Sequence, residues 1–345
     1  MQLNPRSPLT PFPRGWYLAA FSHELKPGEV KPVRYFGREI VLFRTTDGVA
    51  HAFDAYCPHL GSHLGHGGTV EGNCLRCPFH GWQYDGESGR CTSIPYAQKI
   101  PPNARAGTWP LNEVSGMLMI WFHEAGGAPN WHVPEVYDRA DDANWTEWKE
   151  TRWTLRAVIQ DLSENDIDSA HLPNLHRFTR SMPTSEIGSE GARFDVKMTV
   201  SVNMETFGMP GEATGPIHTT KYGLGLGYIH VNLEPMPGVR ISSRTLGNTT
   251  PIDAEHVDVR LLHSIRKTPF EQLNQQLETS YFAEFKRTVD QDIVIWTNKI
   301  HLAKPLLCEG DGPIAQYRKW ARQFYSEEEV AKVYGTPRLV ESAAG

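Results

Sequence analysis

Cys57-Pro58-His59, answered by Cys77-Pro78-Phe79-His80 after an interval of seventeen residues, decides how this chain is read. Each segment supplies one thiolate and one imidazole. Two such loops suit a [2Fe-2S] cluster in which one iron takes two Cys and the other takes two His, an arrangement that raises the potential above that of four-cysteine clusters. The imidazoles also have an edge that reaches the protein surface and can pass an electron outward. Gly61, Gly65 and Gly81 allow a close backbone approach at which amides hydrogen-bond the sulfurs, and Trp82 and Tyr84 are placed to shield the cluster from water. A structural zinc site built from Cys74-x-x-Cys77 and His63-x-x-His66 is the competing parse, since closed zinc sites take four N or S ligands. It breaks the matched pairing of the two loops. Cys74 and Cys91 therefore read as packed thiols, and His63 and His66 as loop residues.

Outward from the motif, residues 37–54 read as a hairpin: Ile40 and Leu42 face Val49 and Phe53 across the turn Thr45-Thr46-Asp47-Gly48. The density of Gly and Pro between Cys57 and Tyr96 predicts loops and tight hairpins. An alternating run from Gly116 to Phe122 closes this small all-β unit. The polar, Gly-rich segment Glu124-Ala-Gly-Gly-Ala-Pro-Asn is the linker candidate, which divides the chain into 1–132 and 133–345. In the second part, Val158 to Ala170 reads as a helix that Pro173 interrupts. Four stretches alternate as strands do: Ala192 to Glu205, Gly225 to Leu233, Val239 to Leu246 and Val257 to Ile265. Leu277, Tyr281, Phe285, Val289, Ile293 and Trp296 recur at threes and fours, which predicts a long amphipathic helix over Phe270 to Lys299. Strands followed by a long helix give an α+β fold.

A cluster of this kind only carries electrons, so the remaining two hundred or so residues must account for their destination. The segment Glu164 to His176 contains Asp168-x-x-His171-x-x-x-x-His176. Mononuclear non-haem Fe(II) sites take two histidines and one carboxylate on one face and leave positions open for O2 and substrate. His171 and His176 supply the pair. For the carboxylate, helical spacing puts Asp292 with Phe285, Val289 and Trp296 on the apolar face, while Asp290 leans to the polar side. An inward carboxylate needs a partner, so Asp292 is the third candidate ligand. Asp168 takes a separate catalytic part: three residues before His171 on the same helical face, it orients a ligand imidazole or bridges to a cluster histidine.

The bulk properties set bounds on this reading. At 345 residues two ordinary domains are expected. A net charge of -6 argues against nucleic acid as a partner, which needs a basic surface. Five cysteines, an odd number, do not form a disulfide framework. The longest apolar stretch, Met117 to Phe122, is far short of a membrane span, and the opening residues have no secretory apolar core, so a cytoplasmic location is expected. Gly223-x-Gly225-x-Gly227 leads into a strand and is not a dinucleotide fingerprint. With no nicotinamide or flavin site in the chain, electrons must come from a separate NAD(P)H-dependent reductase or ferredoxin.

Together the two motifs resemble the oxygenase α subunits of the Rieske non-haem iron family, over nearly the whole chain. Glu164 to His176, the segment Gln291-Asp292-Ile293-Val294-Ile295-Trp296 and the tail Pro305-Leu306-Leu307, Gly310-Asp311-Gly312-Pro313, Arg318-Lys319-Trp320 and Gln323-Phe324-Tyr325 look most like 3-ketosteroid 9α-hydroxylase oxygenases and cholesterol 7-desaturases. The resemblance implies an N-terminal Rieske domain and a C-terminal helix-grip catalytic domain. It also implies a head-to-tail homotrimer in which the cluster of one subunit faces the iron of the next, with Asp168 on the electron path. Cys57, His59, Cys77 and His80 carry over as cluster ligands, and His171, His176 and Asp292 as iron ligands. The expected activity is a monooxygenase that hydroxylates, desaturates or demethylates a small hydrophobic, steroid-like substrate. An aromatic-ring oxygenase, an oxidative enzyme of secondary metabolism, and a non-enzymatic electron carrier or lipid-binding protein are the alternatives. An apolar N-terminal anchor like that of animal 7-desaturases is not expected in this chain.

Overall fold

A computed structural model describes residues 5–182 and 186–335. In the first part, Arg38–Arg44 and Ala50–Asp54 form the expected hairpin, flanked by Val30–Tyr35 and Thr108–Trp109. A second small sheet, Thr69–Glu71, Cys74–Arg76, Gln83–Asp85 and Cys91–Ser93, lies between the two ligand loops and beyond them. Val41, Phe43, Phe53, Leu64, Leu75 and Tyr84 are buried between these sheets. The loops lie at the edge of this core.

Met117–Phe122 is buried at every position and pairs with both Gly15–Phe21 and Leu111–Val114. This three-stranded sheet is the seam with the second part. Tyr17, Phe36 and Phe122 share one continuous apolar core with Leu155, Leu162, Trp296, Tyr317 and Phe324. Thr250 Oγ1 donates to the Leu18 carbonyl at 2.8 Å. A Cβ at Gly225 would stand 2.6 Å from the Tyr17 ring, so the bare glycine permits a close approach of the two parts here. The stretch after the seam is fastened by Trp16 Nε1 to the Trp131 carbonyl and Trp121 Nε1 to the Gly127 carbonyl.

Among the described residues, the second part is built on eight antiparallel strands. Their order is Lys149–Arg156, His256–Ile265, Val239–Pro251, Leu226–Met236, Glu212–Tyr222 and Arg193–Asn203, with Arg180–Met182 and Ile187–Glu190 both on the last. Four of these follow the alternation expected from sequence. Lys149–Arg156 and Glu212–Tyr222 were not expected, because the first has only Trp153 and Leu155 as apolar residues and the second contains Gly215 and Pro216. One face of the sheet is covered by three helices: α1 (Ile159–Asn165), α2 (His171–Leu175) and α3 (Glu271–Asn298). A fourth, α4 (Ile314–Ala321), packs on α1.

The helix expected over Val158 to Ala170 is shorter than that reading and ends at Asn165. Residues 166–170 form a turn before α2 begins at His171. Pro173 does not interrupt it. The proline sits in the first turn of α2, where its missing N–H would have had no intrahelical acceptor in any case. Helix α3 matches its expected span, and its buried residues Leu277, Val289, Asp292 and Trp296 keep the predicted spacing. Among the described residues, no helix is long and apolar enough to cross a membrane.

Candidate metal centres and the adjoining pocket

The two ligand loops have the same local construction. In one, the Gly61 N–H donates to the Cys57 carbonyl at 2.9 Å; in the other, Gly81 N–H donates to Cys77 at 3.1 Å. Each loop returns on a left-handed glycine, with φ of 76° at Gly61 and 71° at Gly81, where a side chain would be strained. Cys57 and Cys77 are buried and within hydrogen-bonding reach of each other. His59 and His80 are half-buried, with ring centroids 4.7 Å apart. Like therefore sits beside like, as two irons with different ligand pairs require.

Trp82 stacks on His59 at 4.4 Å, and Tyr84 Oη lies 3.0 Å from Cys57 Sγ. A hydroxyl at that position would withdraw charge from the sulfur and raise the potential of a cluster held there. The zinc parse finds no support. Cys74 Sγ is engaged with Thr92, and His63 Nδ1 accepts from the Gly65 amide. Among the described residues, the only group tight enough to hold a single ion is His171, His176 and Asp292.

Their ligand atoms lie within 4.8 Å of one another. The α2 helix delivers His171 at its first residue and His176 just past its last, and α3 delivers Asp292 from above. Asp292 is 6% exposed, whereas Asp290 faces solvent and pairs with Lys286 at 2.6 Å. Asp292 Oδ1 stands 3.1 Å from His176 Nε2 but at an angle that makes no hydrogen bond, leaving a buried carboxylate oxygen without a partner. A buried unsatisfied oxygen aimed at two imidazoles is what a cation would satisfy, so the donor set fits a ferrous ion. Gln291 Oε1 lies 3.1 Å from His176 Nδ1 and fixes that ring, a role that sequence reading missed. Burial works against protonated His176, but Asp292 and Gln291 outweigh it and hold the free imidazole above its usual value.

Asp168 lies in the turn between α1 and α2, not on a helical face as its spacing had suggested. The contact it was expected to make survives for another reason. Its Oδ1 accepts the Ala170 N–H at 2.8 Å, which turns Oδ2 toward His171 Nδ1 at 3.5 Å. Burial pushes the Asp168 carboxyl up, and His171 beside it outweighs this, so the group lies below the ordinary carboxylate range.

A cavity extends from these side chains over the sheet. Leu162, Phe178, Met198, Ile217, Leu224, Ile229, Val259, Leu261 and Phe285 make its walls mostly apolar. Gly227 and Gly247, paired on neighbouring strands, leave its floor flat. The buried Lys221 reaches into it and is paired with Asp166 at 2.6 Å. Neither residue was found by sequence reading. The signal was the inward register of Ile217, Thr219 and Lys221, visible only once Glu212–Tyr222 is known to be a strand.

Comparison with known proteins fits this geometry. Residues 15–105 match the Rieske [2Fe-2S] domain, and residues 120–325 match the 3-ketosteroid 9α-hydroxylase C-terminal domain. The chain is 32% identical to cholesterol 7-desaturase nvd 1 of Ciona intestinalis, over 92% of this chain and 69% of that protein. It is 31% identical to a probable 3-ketosteroid-9-alpha-monooxygenase oxygenase component of Rhodococcus rhodochrous, over 92% and 81% respectively. The crystal structure of dicamba monooxygenase superposes with a TM-score of 0.71 at 19% identity, covering 93% of this chain and 98% of that one, which shows a shared fold.

Proposed function

Because the chain belongs to the Rieske oxygenases, in the 3-ketosteroid 9α-hydroxylase branch, we propose that it is an oxygenase component acting on a steroid- or sterol-like substrate. The observation that carries this reading is the convergence of His171, His176 and Asp292 at the end of an apolar cavity, in a chain that also has a Rieske domain. An electron carrier has no use for such a cavity.

Cys57, His59, Cys77 and His80 would hold the [2Fe-2S] cluster, and His171, His176 and Asp292 the ferrous ion. When bound, these groups supply one-electron transfer and the activation of O2 for attack on a C–H bond. The chain's own residues do the rest. Gln291 and Asp168 orient the two imidazoles, the apolar walls hold the substrate and exclude water, and Trp82 covers one side of His59. Names of relatives that specify an oxygenase component support a separate reductase as the electron source.

A head-to-tail homotrimer belongs to the same proposal. Leu60, Phe79 and Tyr96 stand exposed around the cluster histidines, and Leu302, Leu306 and Leu307 stand exposed outside Asp168. Two apolar surfaces of this kind, one at each centre, suit contact between copies of the chain. Incubation of the iron-loaded protein with a reductase, NADH and a panel of sterols, ketosteroids and substituted benzoates tests the substrate class. A steroid product heavier by one oxygen or lighter by two hydrogens is expected; turnover confined to the benzoates would overturn it.

A further inference from the structure

Lys221 is 4% exposed and lines the cavity next to the candidate iron ligands. An ammonium carries three donors. Among the described residues its one hydrogen-bond partner is Asp166 Oδ2, at 2.6 Å, so two donors remain for whatever occupies the cavity. The group cannot retreat to water, and an unfilled donor in an apolar enclosure favours a ligand that supplies an acceptor. Its position is fixed from both sides. Asp166 caps α1 directly after Asn165, whose amide is 3.4 Å from His171 Nε2. Across the sheet, Lys221 pairs in register with Gly227, where a Cβ would stand 2.8 Å from Nζ. The missing side chain at Gly227 is what leaves Nζ accessible.

We propose that Lys221 is a specificity-determining residue that anchors an uncharged oxygen, a ketone or hydroxyl, on an otherwise apolar polycyclic substrate. Asp166 already neutralises the ammonium, so a ligand carboxylate would bring an uncompensated charge into the cavity, whereas a neutral acceptor completes the ammonium without changing the charge. A hydroxyl could in addition donate to Asp166. The remaining walls offer mainly carbon, so one end of the ligand is held by a directed bond and the rest by burial. Which carbon lies near the iron ligands then follows from its distance to the anchored oxygen.

The inference rests on the substrate class proposed above, and the test separates the two. Equilibrium dialysis of the iron-loaded protein is carried out with a diketosteroid and with two analogues, each lacking one ketone oxygen. Loss of a hydrogen bond to a charged donor should weaken one analogue by about 10- to 100-fold in the unaltered protein. In Lys221→Met, that analogue and the diketosteroid should bind equally, while the other analogue keeps its relative affinity. A strut that merely held Asp166 to the sheet would weaken all three ligands alike, and that result, or undiminished discrimination in Lys221→Met, overturns the anchor. Should Lys221→Met fail to fold because Asp166 loses its partner, the double variant Lys221→Met/Asp166→Asn removes both charges and is read the same way. Failure of all three ligands to bind the unaltered protein overturns the substrate class and the anchor with it.

Discussion

Replacement of Asp168 by Asn separates two duties that one side chain performs. Oδ1 accepts the Ala170 N–H and shapes the turn before α2, while Oδ2 faces His171 Nδ1 at 3.5 Å. Asn keeps an acceptor for Ala170 and removes the charge. Two unit charges at that distance interact by about 5 kcal/mol at an effective dielectric of roughly 20. The Asp168 side chain is 33% exposed, and His171 would carry only part of the charge of a bound cation, so about 1–3 kcal/mol is the expected loss. Turnover should therefore fall roughly 10- to 100-fold in Asp168→Asn. Iron content, cluster absorbance and far-UV circular dichroism should match those of the parent. Asp168→Ala loses the turn hydrogen bond as well and should melt lower, by an additional loss of about 1 kcal/mol. Steady-state turnover with reductase, read beside metal analysis, is the assay. Parental turnover in Asp168→Asn would refute the electrostatic role, and loss of iron in that variant would make the residue a guardian of the metal instead of the electron path.

Three further perturbations probe other parts of the structure. Asp292→Ala should strip the mononuclear iron and leave the cluster absorbance, while Asp290→Ala, at the exposed Lys286 pair, should leave both; colorimetric iron assay against visible absorbance decides. Glu164 forms a buried bidentate pair with Arg318, so Glu164→Ala should cost about 3–5 kcal/mol in urea unfolding, and a change below about 1 would show that the pair does not pin α4 to α1. His263 is buried between Tyr281 and Phe285, and burial lowers its pKa to about 3, so it is neutral in the fold but protonates near 6.5 when unfolded. Its contribution is present above about pH 6.5 and is lost as pH falls toward 3; near pH 5 the loss is roughly 2 kcal/mol, which His263→Gln should abolish in melts compared at pH 7 and 5.

The sequence was most legible where local chemistry and tertiary position agree. The two cluster loops announce themselves because each ligand pair needs its own glycine turn, and the spacing of α3 separates Asp292 from Asp290 because burial follows the helical period. Glu212–Tyr222 stayed hidden for the opposite reason: Gly215 and Pro216 look like a break, yet Gly215 is needed where a Cβ would stand 1.7 Å from the Asn232 carbonyl. With that strand went Lys221. The turn at 166–170 was read as helix because a proline three residues into a new helix looks, in sequence, like one that ends an old one. Asp168 was placed beside His171 correctly, though by an Asx turn and not by helical periodicity.

Two different iron centres in one chain are most directly tested by the ratio of iron to acid-labile sulfide after anaerobic reconstitution with ferrous ion. A [2Fe-2S] cluster alone gives about 1, and a cluster with a mononuclear iron gives about 1.5. The account predicts about 1.5 for the parent chain, falling to about 1 in His171→Ala/His176→Ala with the cluster spectrum unchanged. A parent ratio of about 1 would contradict it, leaving the apolar cavity without an oxidising metal.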